Sequence, residues 1–323
     1  MSHRVLVTGM GGELGVRVAN LLSARPDVEA VRGIDLDPPR RRTHDVEFVR
    51  VDPCSRRKVV PLVRELDPTV VVHLGIYEPN ARTGPKLAAQ LNEWGTLNAL
   101  GAAAECPSLE RIVVRSGIEI YGRGRGQATR PDESVVPMPT SSFGRQLLRV
   151  EELALETGRS AGAVVTSLRF ASLTGAALPS PLGRYLRLPV VAFGGLGDLP
   201  FCLLHQNDAA DAVVAAVAAG PDAPVNVVGS GATTPFLAAR TGGRVPLPIL
   251  GFQWQLARVA AELLGAPLPD HVRELLVRGR VADGSAVADR LGVTPAWSTA
   301  DIVRDLYDWA PVTYVQPGRE VAA

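Results

Sequence analysis

The chain is poor in cysteine and lysine and carries almost no net charge. Cys54, Cys106 and Cys202 are its only cysteines among 323 residues, and their wide spacing forms neither a CxxC pair nor a disulfide framework. A formal net charge of +1 excludes the basic surface that nucleic acid or an anionic membrane requires. We therefore expect no metal site, no nucleic-acid partner and a reducing, cytoplasmic location.

Long hydrophobic runs are also missing. The apolar stretch AADAVVAAVAAG is interrupted by Asp211 and is shorter than the roughly 20 residues that a membrane-spanning helix needs. The N-terminal MSHR passes straight into a strand-like run, so no export signal is predicted. Hydrophobic residues make up 46% of the chain, which is enough for a large core. These features predict a globular protein without a transmembrane segment.

Short β-branched runs alternate with longer amphipathic stretches through the first half of the chain. The runs are RVLVTG, VEAVRGID, VEFVRVD, TVVVHLG and RIVVRSG, and a further helix is predicted at about 141–157. Strands and helices that alternate at this spacing form a parallel sheet covered by helices on both faces. The fold class predicted is α/β, with a Rossmann-type doubly wound parallel sheet and a smaller, irregular C-terminal substrate domain.

The pattern weakens after Gly175, where glycine and proline become frequent. A strand-then-helix pattern returns in PFCLLHQNDAADAVVAAVAAG. We predict an NAD-binding domain over 1–172 with a returning segment at about 200–230. The smaller substrate-binding domain is predicted over 173–199 and 231–323, and a cleft is expected between the two.

A glycine-rich turn follows the first predicted strand. VLVTGMGGELG places Gly9, Gly12 and Gly15 where a strand ends and a helix begins, which allows close approach of a pyrophosphate to the helix N-terminus. Asp35 follows about 20 residues later, as the dinucleotide fingerprint requires. Its carboxylate favours the ribose hydroxyls of NAD over the 2′-phosphate of NADP. The arginines of 40–42 either hold a phosphate or form a solvated loop.

Several further motifs follow this turn, namely Asp52 in VRVD, VVVHLG, Asn92 in NEWGTLNAL, SGIEIYG, LRF and LLHQNDAADAV. The turn and these motifs together resemble those of the extended short-chain dehydrogenase/reductase family, in its NAD-dependent epimerase/dehydratase branch. The resemblance covers nearly the whole chain and implies NAD as cofactor. Asn92 is either the family's support for an active-site water and lysine or an ordinary helix asparagine. The implied cofactor contacts are Gly9, Gly12, Glu13, Leu14, Gly15, Asp35, Asp52, Leu74, Gly75 and Asn92.

The residues that transfer a proton in this family are absent from the corresponding positions of this sequence. The resemblance implies a tyrosine and a lysine four residues apart on one helical face, aided by a Ser or Thr on a neighbouring strand. Phe143, Leu147 and Gly117 occupy the three positions. A phenyl ring has no proton to donate and leucine carries no charge, so a pseudoenzyme is predicted. Whether the protein is an enzyme stays open.

Three polar residues are candidates for a substitute catalytic role. Tyr77 lies on the loop after the fourth predicted strand and is either a relocated acid or a packed loop tyrosine. Glu119 matches a glutamate of the family's sugar-nucleotide dehydratases, but Gly117 and Ile118 replace the Thr and Asp that precede it there. Ser116 is adjacent to the accessory hydroxyl position, although consecutive strand residues face opposite sides.

A second residue type that the resemblance implies, an arginine on the substrate side of the expected cleft, is also absent. Phe201 stands near the position of an arginine that binds the diphosphate of nucleotide sugars. We therefore expect a small-molecule ligand of partly apolar character. A homodimer and a partner protein both stay open. Two functions are compatible with the sequence, namely an NAD-dependent binding or regulatory protein and an atypical oxidoreductase or epimerase with a substitute acid.

Overall fold

The computed structural model describes residues 2–175 and 178–308. Its centre is a seven-stranded sheet in which every pair of neighbouring strands is parallel. Two further parallel pairs, β8 with β11 and β7 with β9, lie outside it. The strands in chain order are β1 (His3–Thr8), β2 (Val28–Asp35), β3 (Glu47–Arg50), β4 (Val70–His73), β5 (Arg111–Gly117), β6 (Val164–Phe170), β7 (Ser172–Thr174), β8 (Val190–Gly194), β9 (Leu203–His205), β10 (Pro224–Val227) and β11 (Val245–Ile249).

Helices follow most of these strands. A π-helical turn at Leu91–Gly95 joins two of them, and a 3₁₀ turn at Ile118–Tyr121 follows β5. The α-helices are α1 (Glu13–Ser23), α2 (Arg56–Leu66), α3 (Pro85–Gln90), α4 (Thr96–Ala103), α5 (Ser142–Ala161), α6 (Pro181–Leu186), α7 (Gln206–Ala219), α8 (Pro235–Thr241), α9 (Gln253–Leu263), α10 (Asp270–Arg278), α11 (Ala286–Leu291) and α12 (Thr299–Asp308).

The longest helix, α5, has defined signals at both ends. The side chain of Ser141 accepts a hydrogen bond from the backbone N–H of Gly144, which satisfies a donor of the first turn. Gly162 ends the helix with φ of 68°, a left-handed conformation that glycine adopts without steric cost. The buried face of α5 includes Phe143 and Leu147. Its caps therefore fix the axial position of both residues.

The order of the strands positions the cleft. It runs β10-β6-β5-β4-β1-β2-β3, so the chain moves outward in opposite directions from β1 and β4. In doubly wound sheets the ligand binds at the carboxyl ends of the strands, where the order reverses. The predicted Rossmann-type fold class is confirmed, and the loops after β1 and β4 lie at this reversal.

Two large groups of buried hydrophobic residues are separate from each other. The first lies around the main sheet and includes the buried faces of α1, α5 and α7. The second is built mainly from α6, β8, α8, α10 and α12. The predicted division into two domains stays a prediction, and its final part, 309–323, lies outside the described residues. Among the described helices, none is long and apolar enough to cross a membrane.

A buried ion pair joins α5 to β6 within the first core. Arg169 donates to both carboxylate oxygens of Glu151, at 3.0 and 2.8 Å, and only 6% and 5% of the two side chains is exposed. The same guanidinium donates to the Tyr121 hydroxyl at 2.9 Å, and that hydroxyl donates to Asn226 at 2.8 Å. The bidentate geometry satisfies most of this polar network inside an apolar core.

We expect Glu151→Ala to destabilise the fold by about 3–5 kcal/mol, because it leaves the Arg169 charge buried without a partner. Urea denaturation gives this free energy. The matched control is Glu152→Ala, since Glu152 pairs with Arg149 at 3.2 Å on the surface of the same helix. The control change should stay within about 1 kcal/mol. Equal losses in the two variants would contradict the importance of the buried pair.

Candidate functional site

The glycine turn after β1 has the tight packing that a phosphate-binding loop needs. Gly9 has φ of +72°, and a Cβ added there would lie 2.6 Å from the backbone nitrogen of Gly75. A Cβ on Gly15 would lie 2.3 Å from the carbonyl oxygen of Gly9. Gly12 caps the N-terminus of α1 without a side chain of its own. Only glycine at Gly9 and Gly15 preserves this backbone, which presents the helix N-terminus to an anion.

Asp35 is completely buried at the end of β2. Its Oδ1 accepts hydrogen bonds from the hydroxyl of Tyr77 at 2.5 Å and from the backbone N–H of Leu36 at 2.6 Å. Its Oδ2 has no hydrogen-bond partner among the residues that the structure describes, although Arg82 Nη1 lies 3.7 Å away. A buried carboxylate oxygen without a donor is costly, and a ribose hydroxyl would supply one. The residues present therefore fit the adenosine ribose of NAD.

Most of the predicted cofactor residues line one cleft. The cleft wall includes Gly9, Gly12, Glu13, Leu14, Gly15, Asp35, Leu74 and Gly75. Two predicted contacts lie outside this wall. Asp52 is exposed and accepts from the backbone N–H of Cys54 at 2.9 Å, while Asn92 is buried behind the cleft. The individual cofactor roles of these residues stay predictions.

Asn92 holds the loop after β4 in place. Its side-chain oxygen accepts from the backbone N–H of Tyr77 at 2.7 Å, and its amide donates to the Tyr77 carbonyl at 3.0 Å. The amide also donates to Gln146 Oε1 on α5 at 2.8 Å. Asn92 lies in the π-helical turn, a local irregularity that often occurs at functional sites. The asparagine therefore connects the cleft loop to the helix that carries the substituted relay.

Tyr77 lies beside the buried carboxylate of Asp35. Its hydroxyl donates to Asp35, and burial together with the Asp35 charge raises the pKa of Tyr77 well above its ordinary value. The proton of this hydroxyl is therefore held strongly at physiological pH. A catalytic role for Tyr77 stays a prediction, and it would require the hydroxyl to leave Asp35 first.

The three relay positions are closely packed. Phe143 and Leu147 are both buried on the inner face of α5. A Cβ added to Gly117 would lie 2.3 Å from Glu119 Oε2 and 3.0 Å from Leu147 Cδ1, so the space of the accessory hydroxyl is already occupied. Ser116 is buried, and its hydroxyl has no partner within the described part of the chain. Its catalytic role, like that of Glu119, stays a prediction.

Glu119 belongs to a buried ion-pair cluster. Its Oε1 accepts from Arg280 Nη1 at 3.1 Å, and the same arginine donates to Glu274 at 2.9 Å and to the carbonyl of His271 at 3.0 Å. The Arg280 guanidinium therefore forms ion pairs with both Glu119 and Glu274, so the Glu119 carboxylate already has a cationic partner.

Sequence reasoning missed a carboxylate and an imidazole beside the substituted tyrosine position. His271 Nε2 lies 2.9 Å from Glu78 Oε1, and its ring centroid lies 4.9 Å from that of Phe143. His271 is almost fully buried on α10, whereas Glu78 lines the cleft. The two residues are 193 positions apart, so no local motif signals the pair.

Two arginines and the apolar residues Leu173, Leu178 and Pro179 also line the cleft. Arg115 on β5 and Arg82 on the loop after β4 both line the cleft. Arg82 pairs with the exposed Asp37 at 2.8 Å. In the region 40–42 that the sequence left ambiguous, Arg41 Nε lies 2.6 Å from the carboxylate of Glu13.

The sequence profile of the NAD dependent epimerase/dehydratase family matches residues 5–229. An uncharacterised protein of Mycobacterium tuberculosis strain H37Rv is 30% identical over 312 residues, which cover 94% of this chain and 83% of that protein. The GDP-6-deoxy-D-mannose reductase of Pseudomonas aeruginosa is 29% identical over 164 residues, or 50% of this chain and 49% of the reductase.

Among solved structures, the UDP-glucose 4-epimerase of Thermus thermophilus in complex with NAD aligns with a TM-score of 0.72 and 23% identity. The alignment covers 94% of this chain and 97% of the epimerase. The UDP-glucose 4-epimerase of Thermotoga maritima, solved with UDP-glucose, gives the same TM-score and coverages at 19% identity. The structural likeness shows the shared fold, and the profile confirms the predicted family resemblance and NAD as cofactor.

We expect the protein to bind NADH more tightly than NADPH, and Asp35→Ala to narrow this preference. Losing hydrogen bonds to a charged group costs about 1.5–3 kcal/mol, or roughly 10- to 100-fold in NADH affinity. Isothermal calorimetry with both cofactors measures the two affinities. Asp37→Ala is the control, because it removes a nearby but exposed carboxylate that pairs with Arg82. An equal or reversed preference in the parent protein would refute the role of Asp35.

Proposed function

The chain belongs to the NAD dependent epimerase/dehydratase family, and from this premise we propose that it is an NAD-dependent binding or regulatory protein without the tyrosine–lysine relay. One observation carries the proposal. Phe143 and Leu147 are buried at the positions of the family's tyrosine and lysine, while the glycine turn and Asp35 line the cleft. The cofactor site has kept its chemistry while the proton-transfer site has lost its usual groups.

The lysine function has no substitute of the same type in the chain. Lys58 and Lys86 are the only lysines, and they lie exposed on α2 and α3. Arg145 and Arg149 lie two residues before and after Leu147, and both are exposed on the outer side of α5. In this proposal the nicotinamide half of the cofactor therefore lies against Phe143 and Leu147 without a cation from α5. Bound NAD then serves to order a ligand site or a surface.

A second candidate function is that of an atypical oxidoreductase or epimerase with a relocated acid. The observation that favours it is the pair of Glu78 and His271 next to Phe143, with Glu78 facing the cleft. Tyr77 is a weaker candidate for this acid, because its hydroxyl already donates to Asp35. The partial match to a GDP-6-deoxy-D-mannose reductase is compatible with either function.

We expect the purified protein to bind NAD but to show almost no turnover of secondary alcohols, carbonyl compounds or sugar nucleotides. Losing a positioned general acid lowers the rate by about 10²–10⁴, and losing the cation that tunes it lowers the rate further. Nicotinamide absorbance detects net oxidation or reduction. Product analysis is also needed, because an epimerase returns its cofactor unchanged.

The variants Tyr77→Phe and Glu78→Gln separate the alternatives. Robust turnover in the parent that is lost in either variant would replace the binding-protein proposal by an enzyme with that residue as its acid. Turnover that both variants retain would contradict the two candidate acids. Retained NAD affinity without turnover in the parent is the expected result.

We also expect no micromolar binding of UDP- or dTDP-sugars. Phe201, at the position of the family's diphosphate-binding arginine, is completely buried in the second core and presents no charge to the cleft. Calorimetry with UDP-glucose, UDP and glucose measures each part of such a ligand. Micromolar affinity for UDP-glucose that is lost on removing either half would contradict this expectation.

A further inference from the structure

Arg115 is a partly buried cation on the cleft face of β5. It lies two residues before Gly117, so both side-chain positions belong to the same face of the strand. Its Nη1 donates to the carbonyl of Ile76 at 3.3 Å, and within the described ranges it has no ion pair. Arg115 also lines the cleft that contains the glycine turn and Asp35. This guanidinium therefore faces the expected nicotinamide end of the cleft with most of its donors unused.

The neighbouring carboxylates are already paired with other cations or with histidine. Glu119 is bound to Arg280 at 3.1 Å, and Glu78 is bound to His271 at 2.9 Å. Burial lowers the pKa of Arg115, while the charges of Glu78 and Glu119 raise it. A guanidinium that is partly removed from water is stabilised by partners for its charge and its N–H groups, and here a ligand can supply them.

We propose that the cleft binds a small hydroxycarboxylate, with Arg115 holding the carboxylate and Glu78 accepting a hydrogen bond from the hydroxyl. A planar guanidinium binds a carboxylate through two parallel hydrogen bonds, which fixes the orientation of the ligand. The proposal rests on the proposed function, because it names the ligand class of the same NAD-binding cleft. It holds for a binding protein and for an enzyme alike.

A carboxylate fits this site better than a phosphate. Arg115 supplies one positive charge, and Glu78 lines the same cleft. A carboxylate monoanion neutralises that single charge, whereas a phosphate dianion would leave an excess negative charge beside Glu78. Leu173, Leu178 and Pro179 line the same cleft, so apolar groups are available to the remainder of the ligand.

Phe143 acquires a structural role in this arrangement. Its ring packs against His271, which is 3% exposed, and His271 in turn holds the Glu78 carboxylate. His271 is a positioning residue, because it reaches the ligand only through Glu78. The phenyl ring at the tyrosine position therefore supports the imidazole that orients the proposed ligand-binding group.

A matched set of three probes tests the proposal on the full-length protein, with and without saturating NADH. Lactate has both groups, propionate lacks the hydroxyl and propane-1,2-diol lacks the carboxylate. We expect lactate to bind most tightly of the three. Arg115→Gln should weaken the affinity of the protein for lactate by roughly 10- to 100-fold and leave its weak affinity for the diol unchanged. Glu78→Gln should reduce the preference for lactate over propionate. Calorimetry measures all affinities, and inorganic phosphate should not displace lactate.

The controls separate a failed ligand site from a failed cofactor site. Arg159→Gln removes an exposed arginine of α5 and should leave lactate binding unchanged. Arg115→Lys keeps the charge and should retain part of the lactate affinity even if the glutamine variant does not fold. If the parent protein does not bind NADH, the proposed function is refuted. The lactate titrations without NADH then still test the role of Arg115 in ligand binding. Equal binding of lactate and the diol, no lactate binding at all, or unchanged lactate affinity in Arg115→Gln would overturn the proposal.

Discussion

The site depends on the hydrogen bonding of the buried Asp35 carboxylate, whose two oxygens differ in their partners. Oδ1 is held by Tyr77 and by the backbone N–H of Leu36, whereas Oδ2 is buried without a hydrogen bond among the described residues. Tyr77 is fixed in turn through its backbone by Asn92, which also reaches Gln146 on α5. The Asp35 carboxylate is thus joined by hydrogen bonds to α5, the helix that carries Phe143 and Leu147. A ribose hydroxyl that donated a hydrogen bond to Oδ2 would stabilise this whole chain of contacts.

The residues at the predicted relay positions pack closely. Leu147 lies 3.0 Å from the position of a Gly117 Cβ, so leucine and glycine together exclude the accessory hydroxyl. Phe143 packs on His271, and His271 binds Glu78. Restoring tyrosine alone would therefore insert a hydroxyl beside a histidine that already has a carboxylate partner. The chemistry of the cleft has to be sought in the groups that now face it.

The features that the sequence predicted are those set by local periodicity and short spacing. The alternation of strands and helices predicted the doubly wound sheet, and a helix predicted at about 141–157 corresponds to α5 (Ser142–Ala161). The glycine turn and Asp35 were identified because their spacing follows from one βαβ unit. The contact of Tyr77 with Asp35 and that of Glu78 with His271 were not predictable, because both depend on how loops distant in sequence pack.

The same limitation affects the expected character of the ligand. From the sequence alone, Phe143 and Phe201 predict an apolar cleft. In the structure, however, Phe201 is fully buried in the second core and Phe143 packs against an imidazole. Arg115 and Glu78 are two of the polar groups that line the cleft, and their importance appears only once their neighbours are known. Glu78 already has a partner in His271, whereas among the described residues the Arg115 side chain donates only to a carbonyl. In our proposal, a ligand that neutralises this partly buried arginine gains more than one that fills apolar space, because an unpaired cation removed from water costs more than a small apolar gap.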